Sequence, residues 1–374
     1  MSANIRELVE EMVRRDASDL YITVDSPPMY RVEGVTNPWG EEKFTPEETE
    51  AMSLSLMSQT QKTYFARRWE MNLALAYPNL GRFRVNIFRQ RGYFGLVLRQ
   101  IKIYIKTVDE LGLPQIFKTL AMTKRGLLLV AGRTGSGKST TLAAIIDHRN
   151  SNATGHIVTI EDPIEFVHPH KMSIITQREI GIDTHGYASA LKHTLRQAPD
   201  VILIGEIRDV ETMEAAIDYA ETGHLCLGTI HANNANQAIE RIMNFFPPER
   251  HMQIYLQLSL NLRSIISQRL LPSVNGTRIA SVEILIDTPR VKDLIHKAQI
   301  DLLKEAMAKG TMEGMQTFDQ SIFDLYKQGI IDYDNAIAYA DSPNDLRLRI
   351  KMDEVGETQG GAEVSFRLKT DFRR

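Results

Sequence analysis

One cysteine, Cys226, stands in 374 residues, so neither an internal disulfide framework nor a four-cysteine zinc site is available. It lies in the apolar run Leu225-Cys226-Leu227, where a buried, inert thiol is expected. No stretch approaches the ~18 consecutive apolar residues of a membrane-spanning helix. The formal net charge is only −3, which argues against a chain that coats nucleic acid by bulk electrostatics. No repeat of fixed period and no low-complexity segment interrupts the chain. The N-terminus has no uncharged apolar core of the secretory kind. It carries Arg6, Glu7, Glu10, Glu11, Arg14 and Arg15, while Ile5, Leu8, Val9, Met12 and Val13 mark one face of an amphipathic helix. A cytoplasmic protein that reaches a membrane only through a partner is expected.

What is present is an ordinary globular composition, 43% hydrophobic and 24% charged, in a chain long enough for two domains. Residues 1–100 read as a small α+β domain: the first helix, a strand at 19–24, a turn at Pro27-Pro28, a helical stretch from 46 to 69, then strands at 82–87 and 93–101. Residues 101–113 form a linker that ends at Gly112-Leu113. From 114 the pattern changes to alternating strands and helices. Apolar strands at 127–131, 156–161, 201–205 and 225–230 alternate with helices near 138–149, 187–197, 210–221 and 235–244. Near-continuous apolar strands with helical crossovers predict an α/β fold, a mostly parallel sheet covered on both faces. From about 249 to 340 the chain reads helical, and 341–374, with Gly360-Gly361 and mixed charge, reads as a flexible tail.

The most informative motif is Gly132-Arg133-Thr134-Gly135-Ser136-Gly137-Lys138-Ser139, preceded by the strand Leu127-Leu128-Leu129-Val130 and followed by a helix from Thr140. This is the Walker A pattern. Glycines let the backbone wrap a triphosphate with its N–H groups turned inward, Lys138 reaches the β- and γ-phosphates, and the Ser139 hydroxyl ligates Mg²⁺. The helix aims its positive end at the same anion. ATP and Mg²⁺ are the cofactors this motif calls for.

Three further constellations belong with it. Val201-Ile202-Leu203-Ile204-Gly205-Glu206 is an apolar strand ending in a carboxylate, a Walker B pattern in which Glu206 holds Mg²⁺ through water. Glu161-Asp162-Pro163-Ile164-Glu165 crowds three acids at another strand end. Mutual repulsion there raises a pKa and suits a base for the attacking water, with Glu165 the first choice and Glu161 the second. His231 ends the strand before Ala232-Asn233-Asn234, at the sheet edge where ligands bind, and is read as a γ-phosphate sensor. His224, at the start of the same strand, is as readily structural. Neither histidine has neighbours spaced as metal ligands. Arg82, Arg84, Arg89, Arg91 and Arg99 make the strand pair of the N-terminal domain basic. Either this is a solvated face, or one arginine, with Arg84 and Arg99 the candidates, acts across a subunit boundary on transition-state charge.

In this order the four nucleotide-site signals resemble the Walker A, Asp box, Walker B and His box of the secretion ATPases that power type IV pili and type II secretion. Asp19-Leu20, Pro27-Pro28-Met29-Tyr30-Arg31-Val32-Glu33-Gly34 and Gly314-Met315-Gln316-Thr317-Phe318-Asp319-Gln320 resemble the retraction branch, the PilT/PilU family. Leu262-Arg263-Ser264-Ile265-Ile266-Ser267-Gln268-Arg269-Leu270 is similar to its Ala-Ile-Arg-Ala-Ser region. The resemblance covers residues 1–340. It implies a PAS-like domain over 1–100, a RecA-like P-loop domain over 114–340 with C-terminal helices, and a homo-hexameric ring that drives twitching motility. It also implies a PilT-like sister motor and an inner-membrane platform protein as partners, with no nucleic acid. A lone cysteine excludes the tetracysteine motif of assembly-type members. The extension beyond 341, and Arg133 where PilT-like loops commonly carry proline, lean towards PilU. An assembly or type II secretion ATPase, and an ATP-binding ring component that couples a sister motor, stand as alternatives.

Overall fold

The computed structural model of the chain describes residues 4–101 and 103–359. Packing divides it into two units. The first comprises Met1–Glu110, Phe117–Leu127 and Ser139–Thr229; the second comprises Leu111–Ile116, Leu128–Lys138 and Ile230–Arg374.

The N-terminal part of the first unit holds β1 (Asp19–Thr23), β2 (Met29–Val32), β3 (Val35–Pro38), β4 (Glu70–Tyr77), β5 (Gly81–Gln90) and β6 (Tyr93–Ile101). They form an antiparallel sheet in the order β3-β2-β1-β6-β5-β4. Helices α1 (Ile5–Arg14), α2 (Pro46–Ser55) and α3 (Gln59–Arg68) accompany it. The helical stretch expected over 46–69 breaks in two because Ser58 starts a new helix with a capping box to Gln61. In β5 the alternation places Phe83, Val85 and Ile87 in the core with Leu8, Val9, Met12, Leu96 and Leu98. Arg82 and Arg84 fall on the opposite side of that strand, half-exposed.

After α4 (Ile116–Ala121) come β7 (Gly126–Ala131), α5 (Lys138–Asn152), β8 (Gly155–Glu161), β9 (Ser173–Glu179), α6 (Tyr187–Thr194), β10 (Val201–Ile204), α7 (Val210–Glu221), β11 (Leu225–Ile230) and α8 (Ala235–Met243). β8 pairs in parallel with β9 and with β10, and β10 in parallel with β11. β7, β10 and β11 are buried along their whole length, the pattern of strands covered on both faces. Cys226 is among these buried positions, and burial pushes its thiol up.

The helical reading of 249–340 needs correction. α9 (His251–Asn261) is followed by β12 (Leu262–Pro272) and β13 (Arg278–Ile286). These strands form an antiparallel hairpin in register from Ser264↔Ile286 to Pro272↔Arg278. β12 is buried on both faces, so its apolar residues do not alternate, and its short apolar run matches a helix as well as a strand. The hairpin completes a seven-stranded sheet, β13-β12-β7-β11-β10-β8-β9. α10 (Pro289–His296), α11 (Leu303–Lys309), α12 (Phe318–Lys327), α13 (Tyr333–Tyr339) and α14 (Pro343–Gln359) then close the second unit.

The start of the expected flexible tail is also different. α14 packs Leu346 and Ile350 into an apolar cluster with Phe318, Ile322 and Phe323 of α12. Enough apolar area is buried there to order residues whose composition alone reads as mobile. Residues 360–374 lie outside the described residues.

Candidate nucleotide site

The phosphate loop lies in the second unit, between the end of β7 and the start of α5. Gly135 and Gly137 have φ of +78° and +90°. The buried Lys138 folds back so that its Nζ donates to the carbonyls of Gly132 at 2.9 Å and Arg133 at 3.0 Å. These two bonds hold the ammonium against the backbone of the loop's first two residues. Gly132 is fixed by space, and Gly137 by space as well as by its left-handed conformation. A Cβ on Gly132 would lie 2.8 Å from the Gln268 carbonyl oxygen, and one on Gly137 2.7 Å from Gln268 Nε2. Arg133 leaves this geometry standing, since its carbonyl serves Lys138 and its side chain is exposed.

Beside the loop, in the same unit, a cavity of about 500 Å³ is lined by Arg133, Thr134, His231, Asn233, Glu240 and Arg241 among others. The Gly132 N–H donates to the Ile230 carbonyl at 3.3 Å, which brings the His231 segment to the loop's first residue. His224 has a different use. Its Nδ1 lies 3.1 Å from Thr222 Oγ1 and 3.2 Å from the Tyr219 carbonyl, closing the turn into β11.

The acids lie in the first unit. Glu161, at the end of β8, accepts from Thr159 Oγ1 at 2.6 Å and from Gln177 Nε2 at 3.3 Å. Burial pushes its carboxyl up to about 7, and repulsion from Glu165 adds a smaller part. The raised pKa thus falls on Glu161, chiefly through desolvation, while Glu165 is exposed on the turn that follows. Glu206 follows β10 and is half-exposed. The Ile207 N–H donates to the Thr229 carbonyl at 2.8 Å, and Thr229 Oγ1 donates to the Gly205 carbonyl at 2.5 Å, which ties the Glu206 segment to β11. Beyond it the Arg208 guanidinium lies 5.5 Å over the Tyr187 ring and 4.0 Å from Asp162. Burial pushes the Tyr187 phenol up to about 12, so it stays neutral beside these acids. Arg208 stands in the Walker B string but carries no sequence signal of its own.

The two candidate arginines are placed differently. Arg99 Nε donates to Asp19 at 2.7 Å, and Asp19 is buried, so Arg99 is committed to a structural pair. Arg84 is its neighbour across β5 and β6. Burial raises the carboxyl of Glu179, and the Ile164 N–H, Arg84 and Arg82 offset part of that rise.

The chain matches the model of the family described as type II/IV secretion system protein over residues 2–318. The chain belongs to that family. Among its relatives, the type IV pilus ATPase PilU of Pseudomonas aeruginosa is 52% identical over 92% of this chain and 91% of its own length. The type IV pilus retraction ATPase PilT of the same organism is 40% identical over 92% of this chain and 100% of its own. A crystal structure of the pilus retraction motor PilT with bound ADP superposes with a TM-score of 0.86 at 40% identity, covering 92% of this chain and 99% of that one. The α/β core with its parallel strands is therefore that of a PilT/PilU-type secretion ATPase. Among the described residues, no helix is long and apolar enough to cross a membrane.

Proposed function

We propose that this chain is a Mg²⁺-dependent ATPase motor of type IV pilus retraction, working in a homo-hexamer beside a PilT-like sister motor and against an inner-membrane platform protein. The observation that carries this is the loop in which Lys138 Nζ rests on the Gly132 and Arg133 carbonyls. Its support is the naming of the relatives as pilus ATPases. In this reading residues 1–100 are a PAS-like domain, 101–113 a linker and 114–340 the RecA-like ATPase domain.

The donors suit magnesium. Among the described residues no group of three or more His, Cys, Asp or Glu could hold a metal ion alone. A hydroxyl at Ser139 and one carboxylate at Glu206 are what an ion shared with nucleotide phosphates needs from the protein. Bound there, magnesium would neutralise charge developing on the phosphates. The loop of residues 132–140 binds the triphosphate, Lys138 meets the β- and γ-phosphates, and Glu165 orients and deprotonates the attacking water. Glu161, its carboxyl pushed up to about 7 chiefly by burial, stands at the strand end just before the turn that carries Glu165. His231 reads the γ-phosphate from the cavity wall. Arg84 is the better candidate for an arginine acting across a subunit seam, because Arg99 is held by Asp19. Binding favours one arrangement of the domains and release favours another, and that difference is what does mechanical work.

Lys138→Ala in purified protein should lower ATP turnover by about 10²–10³; unchanged turnover rejects the reading. Gene deletion separates retraction from assembly, since loss of a retraction motor leaves surplus pili without twitching and loss of an assembly motor leaves none. The second reading, a ring component that binds ATP and couples a sister motor, is raised by Arg133 in the loop sequence, although the loop geometry is intact there. Normal retraction by Glu165→Gln protein beside an intact partner would establish it.

A further inference from the structure

The β12–β13 hairpin carries two buried polar side chains that the nucleotide reading leaves without a role, Gln268 and Glu283. Gln268 meets the phosphate loop at both ends. Its own carbonyl abuts Gly132 and its Nε2 abuts Gly137, each closer than any side-chain carbon on those residues would allow. Ser267, one residue earlier, pairs across the hairpin with Glu283. Strand alternation sends Gln268 and Ser267 to opposite faces. On the Glu283 side, the carboxylate accepts from the Ala235 N–H at 2.7 Å, at the first residue of α8. The strand that presents Gln268 is thus held from its other face by the helix that follows the His231 segment. A side chain on such a support has little freedom, as a positioning group requires.

We propose that Gln268 is a positioning residue for the phosphate loop. Its carboxamide fixes the peptide at Gly137, directly before Lys138, and so sets where the ammonium and the loop N–H groups stand before nucleotide arrives. A loop ordered in advance spends less of the binding energy on its own ordering. The inference rests on the nucleotide-binding reading above and goes beyond it by assigning a residue outside the four motifs.

The test is calorimetric titration of ADP with Mg²⁺ into the intact chain, with steady-state ATP turnover alongside. Gln268→Met keeps the side chain's length and removes the amide. It should weaken ADP binding about tenfold and raise KM by a similar factor, with kcat within twofold, because ground and transition states use the same loop. Its nucleotide-free melting temperature should stay near wild type. Gln268→Asn keeps the amide but draws it back by one methylene, and it should also lose affinity. A folded Gln268→Met or Gln268→Asn protein that binds ADP within twofold of wild type overturns the proposal. Absence of ADP binding by the wild type overturns the nucleotide reading instead.

Discussion

Glu283 is 1% exposed, and burial pushes its carboxyl from 4.5 up to about 7. The Ala235 N–H and, more weakly, Lys304 pull it down, and Asp341 pushes it up, but desolvation dominates. The shift of roughly 2.5 pH units corresponds to about 3 kcal/mol at about 1.36 kcal/mol per unit. The sign follows from proton counts. Between pH 4.5 and about 7 the native state keeps a proton that the unfolded chain has released, so this group's contribution to stability falls as pH rises through that window and is flat above it. Glu283→Gln retains an oxygen for the Ala235 N–H and cannot titrate. Whatever fixed cost the amide brings, it is the same at every pH. The stability difference between variant and wild type should therefore swing by about 3 kcal/mol in the variant's favour between pH 4.5 and pH 8. Urea unfolding of nucleotide-free full-length protein, followed by circular dichroism at several pH values, measures that swing. Other titrating groups, Glu161 among them, cancel in the difference. Parallel pH profiles for the two proteins, with a swing below about 1 kcal/mol, would refute the burial argument.

Gly137→Ala combines a φ of +90° with a contact against Gln268 Nε2, whereas Gly135→Ala at +78° meets nothing within 4 Å. Gly137→Ala should cost about 1–3 kcal/mol in strain, and ADP affinity should fall further than in Gly135→Ala; equal affinities would count against the Gln268 contact. Glu161→Gln should remove an inflection near pH 7 from the kcat/KM profile, while Glu165→Gln should lower kcat at every pH without loss of ADP binding. A profile unchanged in Glu161→Gln denies that acid any part in turnover. Arg99→Ala strands the buried Asp19 carboxylate, with Arg31 3.8 Å away, and should lower stability by about 1–3 kcal/mol. Arg84→Ala should lower kcat with its melting temperature nearly unchanged, and the reverse pattern would exchange the two assignments. Truncation after Ser342 removes Leu346 and Ile350 from the α12 cluster and should lower the melting temperature measurably.

The nucleotide-binding half of the chain was legible because its signals are local. A strand, a glycine loop and a helix follow one another within about 25 residues, and the expected strands at 127–131, 156–161, 201–205 and 225–230 fall within a residue or so of β7, β8, β10 and β11. The hairpin β12–β13 was not read, and the reason is physical. β12 is buried on both faces, so the alternation that identifies β5 is missing, and Leu262, Ile265, Ile266 and Arg269 also satisfy a helical spacing. A countersignal did exist. Asn275-Gly276 sits in the five-residue turn closed by the Ser273 N–H to Thr277 carbonyl bond at 2.8 Å, with Gly276 at φ +75°. Asn-Gly between two apolar runs is strong hairpin chemistry, and it should outweigh an ambiguous period.

The acid turn shows a different limit. Glu161, Asp162 and Glu165 were legible as a cluster, but which of them titrates near neutrality depends on depth below the surface. Sequence spacing carries charge repulsion, which here is the smaller cause, and leaves out desolvation, the larger one. Gln268 joins both limits. It became a candidate only when a strand misread as helix was placed beside glycines that the motif had already marked. Its contact acts beside the +90° φ at Gly137, and at Gly132 beside the Ser136 hydroxyl, which a Cβ there would meet closer still.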